Sequence, residues 1–283
     1  MTAAGDSPAA AMAEAERVEQ VALAEMVRLQ SVFSVFDATS ELCRWRRDPQ
    51  LDPSAELGEV LAAAEHWWTV SHGAFHPAIA PLRDRWVRAA AEDRLPADAE
   101  LSALAADLAS LPFTVVDGVV LAGGDCSAVE LNAIAKGYIV DRAVASAQAA
   151  GAVAVLVNAG GDLRHHGGPA LRVGVEDPAQ PGGQPIRVVE LADGAMATSG
   201  PVHRGFRVAG HWFGHVLDPR TGWPVAERPS TTIKARDAMT ADALATVAGV
   251  LDPPAAIRVL AGVPEAAGLW VSPGGEITEW GRW

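Results

Sequence analysis

The chain has 283 residues, 49% of them hydrophobic and 20% charged. That length and balance give a folded globular protein with a sizeable core and exclude a disulfide scaffold, a fibre or a mainly disordered chain. Lys and Arg total 22 against 35 Asp and Glu, a formal net charge of −13, so a general attraction to nucleic acid or anionic lipid is excluded and a phosphate-bearing ligand needs a local device.

The opening MTAAGDSPAAAMAEAERVEQ carries early acids and no apolar h-region, unlike a secretory signal peptide or lipoprotein leader. A cytoplasmic location is therefore expected, with residues 1–14 disordered. From Glu14 to about Val35, Val18, Val21, Leu23, Met26, Val27, Leu29 and Val32 recur at helical spacing and predict a first amphipathic helix. SELCRWRRDPQLDPS reads as a turn region around Asp48, Pro49, Asp52 and Pro53, followed by a helix from Ala55 to about Ser71 that ends at Gly73. Helices are expected over Leu82 to Ala91 and Asp98 to Leu108.

In FTVVDGVVLAGG two apolar runs flank Asp117-Gly118, a strong hairpin signal. Ala133 to Ala150 reads as a helix stopped by Gly151, with Ile134, Ile139, Val140 and Val144 inward. AVAVLVNAGGDL reads as a buried strand and a glycine turn, and further strands are expected in LRVGVED, IRVVEL, MATSG and FRVAGHWFGHVLDP. EDPAQPGGQP is the expected surface loop between two of them. A last helix is expected from near Met239 to about Val250. Helices first and hairpin-linked strands later give an α+β class in one domain over residues 1–283, with no repeat and no long linker. The two cysteines, Cys43 and Cys126, read as reduced thiols. No run of about 18 apolar residues offers a membrane span, so direct membrane insertion is not expected.

Several segments carry groups with chemistry. Asp242 and Thr246, four apart on the predicted helix in AMTADALATVAG, place two oxygens on one face, where they could meet a hard cation such as Mg²⁺; an Asp near a helix start is more often a cap or dipole partner. In ELNAIAKGYIVD, Lys136 could neutralise a phosphate or be a solvated helix residue. His215, on the predicted strand of GHVLDPRTGWP, could move a proton or be structural. The paired glycines of NAGGD allow close backbone approach or a plain turn. No G-x-G-x-x-G, P-loop, G-x-S-x-G elbow or H-E-x-x-H is present.

In order and spacing, SVFSVFDATSEL, SHGAFHPAIAPLRDRW, ELNAIAKGYIVD, VLVNAGGDL, ATSGPVHRGF, GHVLDPRTGWP and STTIKARDAMTADALATV resemble the FAD:protein FMN transferases, the ApbE family, over roughly Gln30 to Pro253. The resemblance implies an ApbE-type fold of mixed and antiparallel sheets with flanking helices. It also implies FAD as substrate and Mg²⁺-dependent transfer of FMN to a Thr or Ser hydroxyl of a target flavoprotein, with release of AMP. A membrane redox subunit is one candidate target; nucleic acid is not a partner. By the same resemblance, Asp242, Thr246 and the Ala133 carbonyl hold the metal, and Ala74, Phe75, His76, Glu130, Lys136 and Val216 contact FAD, with His215 the candidate base. An FAD pyrophosphatase and a flavin-binding protein without turnover are the alternatives. Three features depart from the family pattern. Glu130 and Asn132 stand for an Asp and a small residue, and His76 for an Asp. The usual opening strand with Met-Gly-Thr, one wall of the flavin pocket, is not seen before the first helix.

Overall fold

A computed structural model describes residues 8–200, 205–225, 230–272 and 274–283. The N-terminal half is helical: α1 (Pro8–Phe33), α2 (Glu41–Arg47), α3 (Ala55–Val70), α4 (Ala80–Glu92) and α5 (Asp98–Asp107). Helix α1 begins at Pro8, so residues 8–14 are helical where disorder was expected, while residues 1–7 lie outside the described residues. The turn region after α1 contains a helix. Ser40 caps α2 by accepting from the Cys43 N–H at 3.1 Å, and arginines occupy its last turn, favourable ends for a helix dipole.

Strands β1 (Phe113–Val116) and β2 (Val119–Ala122) form the expected hairpin, with Asp117 and Gly118 both at positive φ (52° and 81°), as a two-residue primed turn requires. Helix α6 (Ala135–Ala149) follows and ends as Gly151 turns at φ 104°, where the Ala152 N–H donates to the Ala147 carbonyl at 3.0 Å.

The remaining strands are β3 (Val155–Ala159), β4 (Asp162–His166), β5 (Leu171–Val175), β6 (Arg187–Leu191), β7 (Gly194–Ser199), β8 (Gly205–Val208), β9 (His211–Gly214) and β10 (Ser230–Ala235). Then come α7 (Ala238–Val250), α8 (Pro253–Leu260), β11 (Ala267–Val271) and β12 (Ile277–Trp280). Six strands form one antiparallel sheet in the order β12-β11-β10-β7-β4-β3. Residues 176–185 link β5 to β6, the loop the Pro and Gly cluster predicts.

Three expectations need correction, and strand β10 is not among the elements expected. Strand β3 is not buried: it is an edge strand, with Leu156 51% exposed, because only its α6-facing side enters the core. The segment FRVAGHWFGHVLDP is two strands joined at Ala209-Gly210, and His215 lies just past β9, not on a strand. Helix α7 is not the last. Strand β10 sits at the centre of the sheet, although its Ser230, Thr231 and Thr232 make it read as polar; all three are buried.

Helices α6 and α7 pack on one face of the sheet, and α1 packs outside α6 through Ala22 against Ala143 and Ala147. The main core joins α1–α4, α6 and α7 with the sheet, and a smaller apolar cluster lies between the β5–β6 hairpin and the opposite face. No helix among the described residues is long and apolar enough to cross a membrane. Both cysteines are free, and burial, then the Asp125 charge, pushes the Cys126 thiol up to about 11, so it stays protonated.

Candidate active site

Where α6 and α7 meet the sheet, a cavity of about 670 Å³ opens, a size suited to a small-molecule ligand. All ten residues expected in a site line it. Ala74, Phe75 and His76 come from the turn after α3, and Glu130, Ala133 and Lys136 from the approach to α6 and its first turn. His215 and Val216 follow β9, and Asp242 and Thr246 share one face of α7.

The start of α7 is fastened to α6. Asp141 accepts from the N–H groups of Ala238 (2.8 Å) and Met239 (2.9 Å), and Asp237 caps the helix through the Thr240 N–H at 2.7 Å. Gly137 permits the close approach: a Cβ there would lie 2.1 Å from the Ala238 carbonyl oxygen. Its N–H, one of the first-turn groups that have no acceptor within the helix, donates to Asp242 Oδ2 at 3.1 Å. Ala133 precedes the Ile134 N-cap, so its carbonyl lies outside the helical ladder, and the residue lines the same cavity as Asp242 and Thr246.

Asp242 is buried. Burial, then the neighbouring Asp162 charge, pushes its carboxyl up to about 7, opposed by Lys136 and the Gly137 N–H. Lys136 forms an ion pair with Asp162 and lies 3.8 Å from Asp242 Oδ1. Glu130 forms an ion pair with Arg83, which also lines the cavity, and its own N–H donates to the Pro77 carbonyl at 2.6 Å. Two bases thus face three acids, and Lys136 is already engaged by carboxylates. A carboxylate, a hydroxyl and a carbonyl beside this excess of acid are the hard oxygen donors that a divalent cation such as Mg²⁺ takes, so the residues present fit that metal.

The two cavity imidazoles differ. His76 is 6% exposed, and burial pushes it down to about 4, partly offset by the Ser110 and Leu108 backbone. Its Nδ1 accepts from the Ala78 N–H at 3.0 Å, so its ring is neutral and held by the chain. His215 is half-buried on the opposite wall of elements, beyond β9.

Sequence reasoning missed Arg83 and Asp162. An arginine on an amphipathic helix gives no signal that it will face a cavity. Asp162 had one: it is the acid that directly follows the Gly160-Gly161 turn, and it is 1% exposed at the start of β4. Phe206 also lines the cavity, backed by Trp86 at a ring separation of 6.0 Å, while the Trp86 Nε1–H donates to the Gly222 carbonyl at 2.9 Å.

The ApbE family model matches residues 5–270 of the chain. A FAD:protein FMN transferase of Vibrio cholerae is 30% identical over 229 residues, covering 75% of this chain and 67% of the relative. One from Haemophilus influenzae is 27% identical over 263 residues, covering 87% of this chain and 76% of the relative. Among solved structures, the ApbE protein of Thermotoga maritima has a TM-score of 0.80 at 30% identity, covering 93% of this chain and 88% of that one.

Proposed function

Because this chain belongs to the ApbE family, we propose that it cleaves the pyrophosphate of FAD with Mg²⁺, transfers FMN to a Thr or Ser hydroxyl of a target flavoprotein and releases AMP. The observation that carries this reading is the bond from the Gly137 N–H, which fixes the Asp242 carboxylate in the cavity that the Ala133 carbonyl, outside the helical ladder, and the Thr246 hydroxyl also line. These three groups would hold the metal, which supplies Lewis-acid polarisation and charge neutralisation at the pyrophosphate.

The chain's own groups do the rest. The Lys136 ammonium, 45% exposed beside the buried Asp162, can swing from that carboxylate toward a phosphate oxygen. Arg83 holds Glu130 at the cavity wall and adds the second positive charge. Ala74, Phe75, Val216 and Phe206 offer the apolar surface on which a flavin ring system would lie. The acceptor oxygen attacks the FMN phosphorus, the bond from that phosphorus to the AMP oxygen breaks, and AMP leaves with the electron pair. His215 is the group assigned to take the hydroxyl proton, since the Nδ1 lone pair of His76 is committed to the Ala78 N–H.

Incubation with FAD, Mg²⁺ and a purified apo-domain bearing a flavinylation threonine tests this reading. Covalent FMN on the domain supports it. Free FMN and AMP alone would instead assign a pyrophosphatase, and intact bound FAD a binding protein.

A further inference from the structure

A second cavity, of about 620 Å³, adjoins the first. The register of the sheet puts Leu156, Leu163, Met196, Thr198 and Thr232 on one face, and the β5–β6 hairpin lies over that face through Val173 and Val175. The two cavities share Gly160, Thr198 and Gly200 as lining residues. At this junction Gly160 and Gly161 stand at φ 68° and 101°, and a Cβ on either would meet nothing within 4 Å. The turn is therefore a bare backbone sill between the cavities. Asp162 follows directly and pairs with Lys136, whose Nζ lies 3.8 Å from Asp242. The second cavity thus opens onto the charged cluster of the first.

Strand β3, at the rim of this groove, has a strand neighbour on one side only among the described residues. The run GAVAVLVNAGG, residues 151–161, contains no charge, and it exposes Val153 (88%) and Leu156 (51%). Sheet edges are ordinarily blunted with charge, proline or a bulge, because an open aliphatic edge is a template for another strand. Among the described residues that edge is open, beside a cavity that leads to the candidate active site.

We infer that an extended segment of the acceptor flavoprotein docks here as an added strand along β3. Alternate side chains enter the second cavity, and the acceptor Thr or Ser hydroxyl passes over Gly160-Gly161 into the first. Main-chain pairing supplies affinity in this mode and the pocketed side chains supply specificity. The inference rests on the transfer reading: the hydroxyl oxygen bonds to the FMN phosphorus, AMP departs with the electrons of the broken bond, and His215 takes the proton.

Leu156→Lys places a charge on the open edge, and Arg172→Glu reverses a charge on the exposed hairpin wall of the groove. Neither residue lines the first cavity. The probes are FAD alone, titrated by flavin fluorescence, and the apo-domain bearing a flavinylation threonine, followed by covalent fluorescence across its concentration. Each folded variant is expected to raise KM for the apo-domain tenfold or more, while the Kd for FAD stays within twofold of wild type. Wild-type transfer together with an unchanged acceptor KM in both variants overturns the groove assignment alone. A loss of FAD affinity in place of acceptor affinity overturns it too, by assigning the groove to FAD. Absence of covalent flavin with the wild-type protein overturns the transfer reading and this inference with it. Because the two substitutions lie on separate elements, one that fails to fold leaves the other to decide.

Discussion

Gly137→Ala tests whether the α6–α7 contact sets the site. An added Cβ would stand 2.1 Å from the Ala238 oxygen, 2.5 Å from its carbon and 2.7 Å from Met239 Cα, all backbone atoms. Reaching even the 3.0 Å below which Cβ contacts essentially do not occur requires a shift of 3.0 − 2.1 = 0.9 Å. The start of α7 cannot give way freely, because Asp141 and Asp237 hold three of its N–H groups. Overpacking of this kind costs about 1–3 kcal/mol, and losing the bond from the Gly137 N–H to the Asp242 carboxylate costs about 1.5–3 kcal/mol more. The helix-propensity gain of Ala over Gly, about 1 kcal/mol, offsets part of that. The net loss is about 1.5–5 kcal/mol, which at about 2 °C per kcal/mol is a fall in Tm of roughly 3–10 °C for a chain of this size.

Gly58→Ala is the matched control. Gly58 lies in α3 with nothing within 4 Å of its would-be Cβ, so only the propensity gain applies and Tm should rise slightly. Thermal melts and FAD titrations of both variants decide the matter. If Gly137→Ala rises with Gly58→Ala, or keeps wild-type FAD affinity with Mg²⁺, then the close approach does not position Asp242 and the reasoning fails.

Asp242→Ala is expected to abolish Mg²⁺-dependent AMP release with little change in Tm, because removing a costly buried carboxylate offsets the lost bond from the Gly137 N–H. AMP quantified against Mg²⁺ concentration checks this, and full activity in the variant would sink the metal assignment. Asp141→Asn addresses pH. Burial first pushes the Asp141 carboxyl up to about 6, against the two N–H groups it accepts from, so protonation is easier in the folded state than in the unfolded one. Its contribution is thus fully present below the ordinary aspartate value of 3.8 and lost as pH rises through about 6, an amount of order 3 kcal/mol. Melts from pH 4 to 7 should show less loss of Tm with rising pH in the variant than in wild type; parallel curves would refute the burial argument.

The parts of the fold legible in the sequence are those with a local cause. Asp117-Gly118 can hardly do anything but turn between VV and VV, and Gly151 stops α6 because it alone there accepts φ 104° without strain. Helix α2 has a capping serine and terminal arginines, yet seven residues are too few for periodicity to outweigh the Asp-Pro pairs that follow it. Strand β10 was hidden because its burial is tertiary: Thr231 and Thr232 are covered by β7 and β11, and the Thr232 hydroxyl bonds to that of Thr198 at 2.9 Å. The site divides the same way. The spacing of Asp242 and Thr246 follows from helix geometry, whereas Arg83 reaches Glu130 across 47 residues of chain, and Asp162 reaches Lys136 across 26. Such pairings depend on how elements dock, which residue spacing does not encode.

The net charge of −13 has a local counterpart in the cavity. If Arg83 and Lys136 were reserved for phosphate, Glu130 and Asp162 would be left as buried acids without cations; instead each base is already held by one of them. A pyrophosphate arriving without a metal must therefore compete with carboxylates for the same bases. At about 4 Å and an effective dielectric near 20, each like-charge approach costs about 4 kcal/mol. A divalent cation at Asp242 reverses the balance. It favours the ionised form of a carboxyl that burial and Asp162 otherwise push toward protonation, and its remaining positions attract phosphate oxygens. On the proposed reading, the same excess of acid that excludes general polyanion binding would make phosphate binding conditional on the metal, at the place where α6 and α7 bring three oxygen donors together.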